Sequence, residues 1–148
     1  MNEYAVDILR LASQGYCCAQ IVLQLALELQ GRENPGLIRA VSALCHGFPN
    51  TDGACGALSG AACLLGLYAG KGGQDEEEHE RLPLMLAELS EWFAGYTSQR
   101  SIGIICSEIV GDGKPDTSIC GSLISDCYRQ AMTILVGNGF DPTDSDDN

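Results

Sequence analysis

One helix-like stretch constrains the fold of this chain more than any other, because it is apolar on nearly all of its faces. It runs from about Cys55 to Tyr68 and reads CGALSGAACLLGLY. A helix with no polar face has to be surrounded by other elements of the fold. Glycine and alanine recur at positions 56, 57, 60 and 61, and such a row of small residues lets another helix approach closely. The stretch therefore predicts a buried helix.

Helical periodicity also runs through the first third of the chain. Apolar residues spaced three or four apart predict one helix over 3–13 and a second over 17–31. Pro35 suits the first turn of a third helix, which we expect to end at Gly47. The Pro, Asn and Gly residues of 49–53 then predict a loop that leads into the apolar stretch.

Two more helices are predicted in the second half of the chain. The acidic residues of 75–80 suit the positively polarised start of one helix, with Pro83 either kinking it or starting its second half. Thr117 or Ser118 is expected to cap the last helix. No segment shows the period-two alternation of a half-buried strand. We therefore predict an all-α protein, a single-domain helical bundle of about five to seven helices.

Length and charge narrow the possible functions. The chain has 148 residues, which we assign to one helical domain at 1–140 and an acidic tail at 141–148 that is expected to be disordered. A formal net charge of −12 makes nucleic acid and anionic membranes poor partners. The N-terminus lacks the pattern of a secretory signal, and no apolar run reaches the roughly 18 residues of a membrane span. We expect a cytoplasmic protein.

The eight cysteines carry most of the chemical information. Disulfides are rare in the cytosol, so abundant cysteine there indicates metal binding or redox chemistry. Cys120 and Cys127 lie seven residues apart in one predicted helix, which places their Cα atoms about 10 Å apart and beyond disulfide reach. Cys55 and Cys63 fail the same test. Any bridge or shared site must therefore join different segments.

Three cysteines are predicted near helix starts, namely Cys18, Cys55 and Cys120. Unpaired N–H groups and the helix dipole stabilise a thiolate there, and both a nucleophile and a metal ligand need that form. Cys45 and Cys63 lie on apolar helical faces and are expected to pack as small hydrophobic residues.

The sequence lacks the motifs of several other kinds of catalytic and metal site. The sequence has no CxxC, which argues against a thioredoxin-type dithiol and a zinc ribbon, and no CxxCH for covalent haem. It also shows no Ser-His-Asp set, phosphate loop or recognisable carboxylate pair. His46 is expected to cap the C-terminus of its helix, and His79 to be solvated within its acidic run.

The cysteine segments resemble those of the C_GCAxxG_C_C family of small proteins, which is associated with redox activity. CGALSG at 55–60 fits the family's CGAxxG motif in full, and GYCCAQIVL at 15–23 resembles its first cysteine segment. CSEIVG at 106–111 resembles the third segment, and CGSLISDCYRQA at 120–131 resembles the fourth. The resemblance covers nearly the whole chain in the expected order.

The resemblance implies a set of four site cysteines, which we call the quartet: Cys18, Cys55, Cys106 and Cys120. Further candidates are Cys17 and Cys127, for which packing is an equal alternative, and the glycines that would let backbone approach the centre are Gly53, Gly56 and Gly60. The family is similar to the split-Soret cytochromes, in which haem and an iron–sulfur centre are implied. This chain lacks the haem attachment motif, so only the cluster would be shared.

Three functions stay open. The one we favour is an oxidoreductase or electron-transfer protein whose quartet binds a metal centre, expected to be an iron–sulfur cluster. In the second, no metal is bound, and Cys55 attacks as a thiolate with Cys18, Cys106 or Cys120 as the resolving partner. The third is a structural zinc or helical interaction protein with buried cysteines. No motif identifies the redox partner, and the apolar LLGLY of 64–68 is a candidate homodimer surface.

Overall fold

The computed structural model describes residues 4–45, 47, 54–99 and 117–144, and the side chains of all of these except 117–120. Within these residues the chain forms six α-helices and one short 3-10 helix, which confirms the all-α prediction. The helices are α1 (Ala5–Ser13), α2 (Cys18–Leu29), α3 (Pro35–Val41), α4 (Gly56–Ala69), α5 (Leu82–Gln99) and α6 (Thr117–Gly137), with the 3-10 helix at Ser42–Leu44.

Helix α4 forms the centre of the bundle, as its apolar composition predicts. It packs against α2, α5 and α6, and the side chains of Leu64 and Leu65 are fully buried among them. These two leucines open the LLGLY segment that is a candidate homodimer surface, and they lie in the chain's own core. None of the helices in the described part of the chain has the length and apolarity to cross a membrane.

The backbones of α2 and α4 approach each other closely at Gly60. A Cβ built on Gly60 would lie 3.0 Å from both the Cα and the carbonyl oxygen of Ala19, and 3.2 Å from the Cβ of Val22. Any larger residue at this position would push the two backbones apart. The row of small residues on α4 therefore serves the close approach of α2.

Helix α3 starts where it was predicted and ends earlier. Pro35 is its first residue, and Asn34 caps it by accepting a hydrogen bond of 3.1 Å from the N–H of Leu37. The helix ends at Val41 and tightens into the 3-10 helix, which is a common way to finish a helix, instead of continuing to Gly47.

The predicted start of the next helix at 75–80 is wrong, because α5 begins at Leu82. Pro83 is its second residue, where the missing N–H costs nothing because first-turn N–H groups have no intrahelical partner. The acidic run lies before the helix, and the Glu76 carboxylate accepts a hydrogen bond from the N–H of Gly72 at 3.0 Å. Helix α6 includes both Thr117 and Ser118, so neither of these residues is its cap.

The residues after α6 fold back onto the bundle. The Tyr68 hydroxyl donates to the carbonyl of Pro142 at 2.6 Å, and Gln30 Nε2 donates to the carbonyl of Asp144 at 3.3 Å. Residues 141–144, from the stretch predicted as a tail, thus contact the C-terminal ends of α2 and α4. Residues 145–148 lie outside the described part.

Candidate cysteine site

The first cysteine pair marks the start of α2. Cys17 is the N-cap residue with an extended backbone, and its N–H donates to Gln20 Oε1 at 3.1 Å. Cys18 is therefore the first helical residue, as predicted. Gln20 also donates through Nε2 to the carbonyl of Ile38 at 3.1 Å, which ties the start of α2 to α3.

Cys17 forms a disulfide with Cys45, and the two Cα atoms lie 5.9 Å apart. The prediction that Cys45 packs as a small hydrophobic residue is therefore wrong. Because the 3-10 helix ends at Leu44, the extended Cys45 turns back toward the start of α2 instead of continuing an apolar helical face. The bridge joins different segments, 28 residues apart, as the helix geometry requires.

Gly56 brings this disulfide next to the start of α4. A Cβ on Gly56 would collide with the Sγ of Cys18 and would lie 3.2 Å from the carbonyl oxygen of Leu44 and 3.7 Å from the Cα of Cys45. The preceding residue, Cys55, is the N-cap of α4, and its side chain is 6% exposed. We call this group the cysteine site: Cys17, Cys18, Cys45, Cys55 and Gly56.

Helix α6 adds Cys127 to the surroundings of the site. Its side chain is 0% exposed, and this burial raises the pKa of the Cys127 thiol well above its ordinary value. The neighbouring Cys55, Asp126 and Cys18 raise the pKa further. Cys127 therefore remains a protonated thiol at neutral pH, unlike a cysteine that a helix start activates.

Cys63 lies farther along α4 and is half-buried against the core, in agreement with a packing role. Burial also raises the pKa of its thiol, which makes it a poor nucleophile. It lies eight residues from Cys55 on the same helix, about 12 Å along the axis. Cys63 is thus a suitable control for experiments on the site.

Some of the residues predicted from the sequence lie outside the part of the chain that the structure describes. Cys106, Gly53 and His46 lie outside the described residues, and Cys120 lies in the first turn of α6 with its side chain outside them. Of the quartet, the structure places the Cys18 sulfur against Gly56, the residue that follows Cys55. The Cys17–Cys45 pair was missed because its partners are 28 residues apart and no motif in the sequence links them.

Among the described side chains, no three or more Cys, His, Asp or Glu residues are arranged to hold a metal ion. Cys106 and Cys120 of the quartet are not among these side chains.

Comparison with protein families places the chain in a known family. Residues 16–134 match the model of the family described as "Putative redox-active protein (C_GCAxxG_C_C)". The match spans α2 to α6, so it includes the whole cysteine site. No curated protein and no solved structure matched the chain.

Proposed function

The chain belongs to the C_GCAxxG_C_C redox-active family, and we propose that its redox centre forms where the starts of α2 and α4 meet. The observation that carries this proposal is the contact between the Sγ of Cys18 and Gly56, directly beside Cys55. This contact joins the first cysteine segment of the family to its CGAxxG motif at a single place.

Both cysteines lie at helix starts. Cys18 is the first residue of α2, and Cys55 is the N-cap of α4. The first turn of a helix presents backbone N–H groups and the positive end of the helix dipole, which favour a negatively charged group nearby. The two helix starts are therefore a suitable place for a redox centre that Cys18 and Cys55 share.

The donor chemistry fits an iron–sulfur centre, since such clusters are held by cysteine thiolates. Cys18 and Cys55 would hold it together with Cys106 and Cys120, the other two members of the quartet. A bound cluster supplies one-electron transfer. The protein would fix two of the ligands on rigid helix starts, exclude water through the burial of Cys55, and direct helix N–H groups toward the negative charge.

A second candidate is thiol–disulfide exchange without metal, favoured by the Cys17–Cys45 disulfide next to Cys18. In this reaction the Cys55 thiolate attacks a substrate disulfide, forms a mixed disulfide and displaces one substrate thiolate. Cys18, Cys106 or Cys120 then attacks the Cys55 sulfur. The substrate leaves with two electrons as a dithiol, and the protein keeps an internal disulfide.

The two candidates separate in one set of measurements on protein purified without oxygen. Iron and sulfide content, the visible spectrum and the number of titratable thiols before and after reductant would be determined together. Iron and sulfide with absorption beyond 400 nm would support the metal centre. Metal-free protein that gains more thiols on reduction than the two of Cys17 and Cys45 would support exchange. Zinc with no redox change would contradict both.

Two variants of α4 test the assignment of residues. We expect Cys55→Ser to abolish the metal or thiol signal, because it removes a central sulfur, and to leave the helical circular dichroism largely intact. Cys63→Ala, in the same helix and away from the site, should leave the signal unchanged. The full signal in Cys55→Ser, or its loss in Cys63→Ala, would show that the wrong cysteines were chosen.

A further inference from the structure

The Cys17–Cys45 disulfide lies outside the quartet and forms the outer layer of the cysteine site. Cys17, Cys45 and Cys18 are half-buried, whereas Cys55 is 6% exposed and Cys127 is fully buried. A reductant from solution therefore reaches the disulfide before it reaches the inner sulfurs. This order of access is the first part of the argument.

The segment that carries Cys45 is less buried than helix α3 within the described residues. Helix α3 is anchored by the buried side chains of Ile38 and Val41 and by the hydrogen bond from Gln20. The following 3-10 helix, Ser42–Leu44, buries none of its residues. The disulfide fixes the end of this segment to the start of α2, and its loss would leave α3 packed.

The same segment lies close to the sulfur of Cys18. The carbonyl of Leu44, the Cα of Cys45 and the Sγ of Cys18 all border the position that a Gly56 Cβ would take. The end of the segment therefore lies beside the half-buried Cys18, at the start of α4. Movement of residues 42–45 would expose more of Cys18 without disturbing the packing of α2 on α4 at Gly60.

We propose that the Cys17–Cys45 disulfide is a reversible latch that holds residues 42–45 beside Cys18, and that a dithiol reductant opens it. Reduction breaks the S–S bond and leaves two thiols, and the reductant supplies the two electrons and two protons and departs as a disulfide. The latch extends the proposed function, on which it rests in one respect: the Cys18 beside it belongs to the proposed redox centre.

Residue-resolved alkylation of the full chain tests the latch. Oxidised protein, and protein reduced with dithiothreitol and then freed of it, would each receive a short pulse of iodoacetamide under native conditions, followed by mass spectrometry. In the oxidised form, Cys17 and Cys45 should remain linked and unmodified. Cys18, which is half-buried, should react several-fold faster after reduction, because residues 42–45 then move more freely and shield it less. The rate at Cys63 should not change.

Two results overturn the latch: labelling of Cys17 and Cys45 in the oxidised protein, or equal Cys18 rates in the two forms. If the purified protein contains metal, the rate at which a chelator removes it replaces the Cys18 rate, with the same expected direction. The Cys17→Ser/Cys45→Ser double variant should be open without reductant. Slow Cys18 labelling in that variant, with wild-type circular dichroism, would also contradict the latch.

Measurements on the same samples distinguish the latch from the proposed redox centre. Protein that lacks metal, and gains only the two thiols of Cys17 and Cys45 on reduction, would contradict the centre. A Cys18 rate that responds to reduction in that protein would still support the latch. A metal signal lost in Cys55→Ser, together with a Cys18 response that is absent, would support the centre and overturn the latch.

Discussion

Gly56 shows how a single residue can determine the geometry of the site. The CGAxxG motif places glycine directly after the cysteine, and at this position a Cβ would occupy the space of the Cys18 sulfur. Gly60, the second glycine of the motif, meets the backbone of Ala19 in the same way. The motif therefore encodes the contact between α4 and the start of α2 as well as the position of Cys55.

We expect Gly56→Ala to lower the free energy of unfolding by about 1–3 kcal/mol, because the new methyl group forces the Cys18 side chain or the Leu44 carbonyl to move. Gly66→Ala is the matched control in α4, since a Cβ there meets no atom within 4 Å. It should raise the free energy of unfolding by about 0.5–1 kcal/mol, because alanine favours a helix over glycine.

Urea unfolding followed by circular dichroism would measure both glycine variants. A Gly56→Ala protein as stable as the Gly66→Ala protein would contradict the geometry at the site. The metal or thiol signal of Gly56→Ala should also fall, because Cys18 can no longer lie beside Cys55.

Local patterns predicted part of the site at the residue scale. The places of Cys18 and Cys55 at helix starts follow from the glycine and apolar residues around them, since capping depends on nearby sequence. The Cys17–Cys45 bond depends instead on where α3 ends and how its 3-10 extension turns. Those features are set by tertiary packing, and no sequence spacing encodes them.

At the scale of elements, competing rules explain the one helix start that was misplaced. Acidic residues favour a helix N-terminus, and so does a proline in the first turn. The run at 75–80 and Pro83 could not both open α5, and the proline determines the start because a helix through both would lose a hydrogen bond at Pro83. Apolar periodicity predicted the helices themselves, since it reflects which faces are buried.

The disulfide should stabilise the fold by reducing the conformational entropy of the unfolded chain. The bridge closes a loop of 28 residues that contains α2 and α3, for which chain entropy gives a stabilisation of roughly 3–4 kcal/mol. We expect reduction to lower the free energy of unfolding by about 3 kcal/mol. Urea unfolding of oxidised protein, with and without a phosphine reductant, would measure this difference.

The Cys17→Ser/Cys45→Ser variant is the control for that comparison. It should unfold at the lower stability of the reduced protein, and reductant should not change its midpoint. An equal midpoint for oxidised and reduced wild-type protein would contradict a stabilising bridge. A reductant effect of the same size in the double variant would assign the stability change to another group.

On the scale of the whole molecule, contacts join the matched region to the rest of the chain. The matched region, 16–134, leaves out α1, the last three residues of α6 and the residues after it. Tyr4, just before α1, contacts the Tyr128 ring edge to face, and the Tyr68 hydroxyl donates to the Pro142 carbonyl. The sequence predicted the all-α class because periodicity persists throughout, whereas the docking of the C-terminal residues depends on such tertiary contacts.

Tyr68 makes this docking sensitive to high pH. Burial raises the pKa of Tyr68 from its ordinary value of 10.0 to about 12, although Gln30, as a hydrogen-bond partner, lowers it in part. A raised pKa means that the folded protein holds the phenol proton more tightly than the unfolded chain does. The resulting stability is complete below pH 10 and is lost as the pH rises from there through about 12.

We therefore expect the free energy of unfolding to fall with increasing pH above 10, and to fall less steeply in Tyr68→Phe, which has no phenol to ionise. Burial also raises the pKa of Tyr128, so part of the slope should remain in the variant. At neutral pH, Tyr68→Phe should lose about 1 kcal/mol with its hydrogen bond to Pro142. Urea midpoints of both proteins at pH 8 and at several values above 10 would test this, and parallel pH profiles would show that Tyr68 does not couple the C-terminal residues to pH.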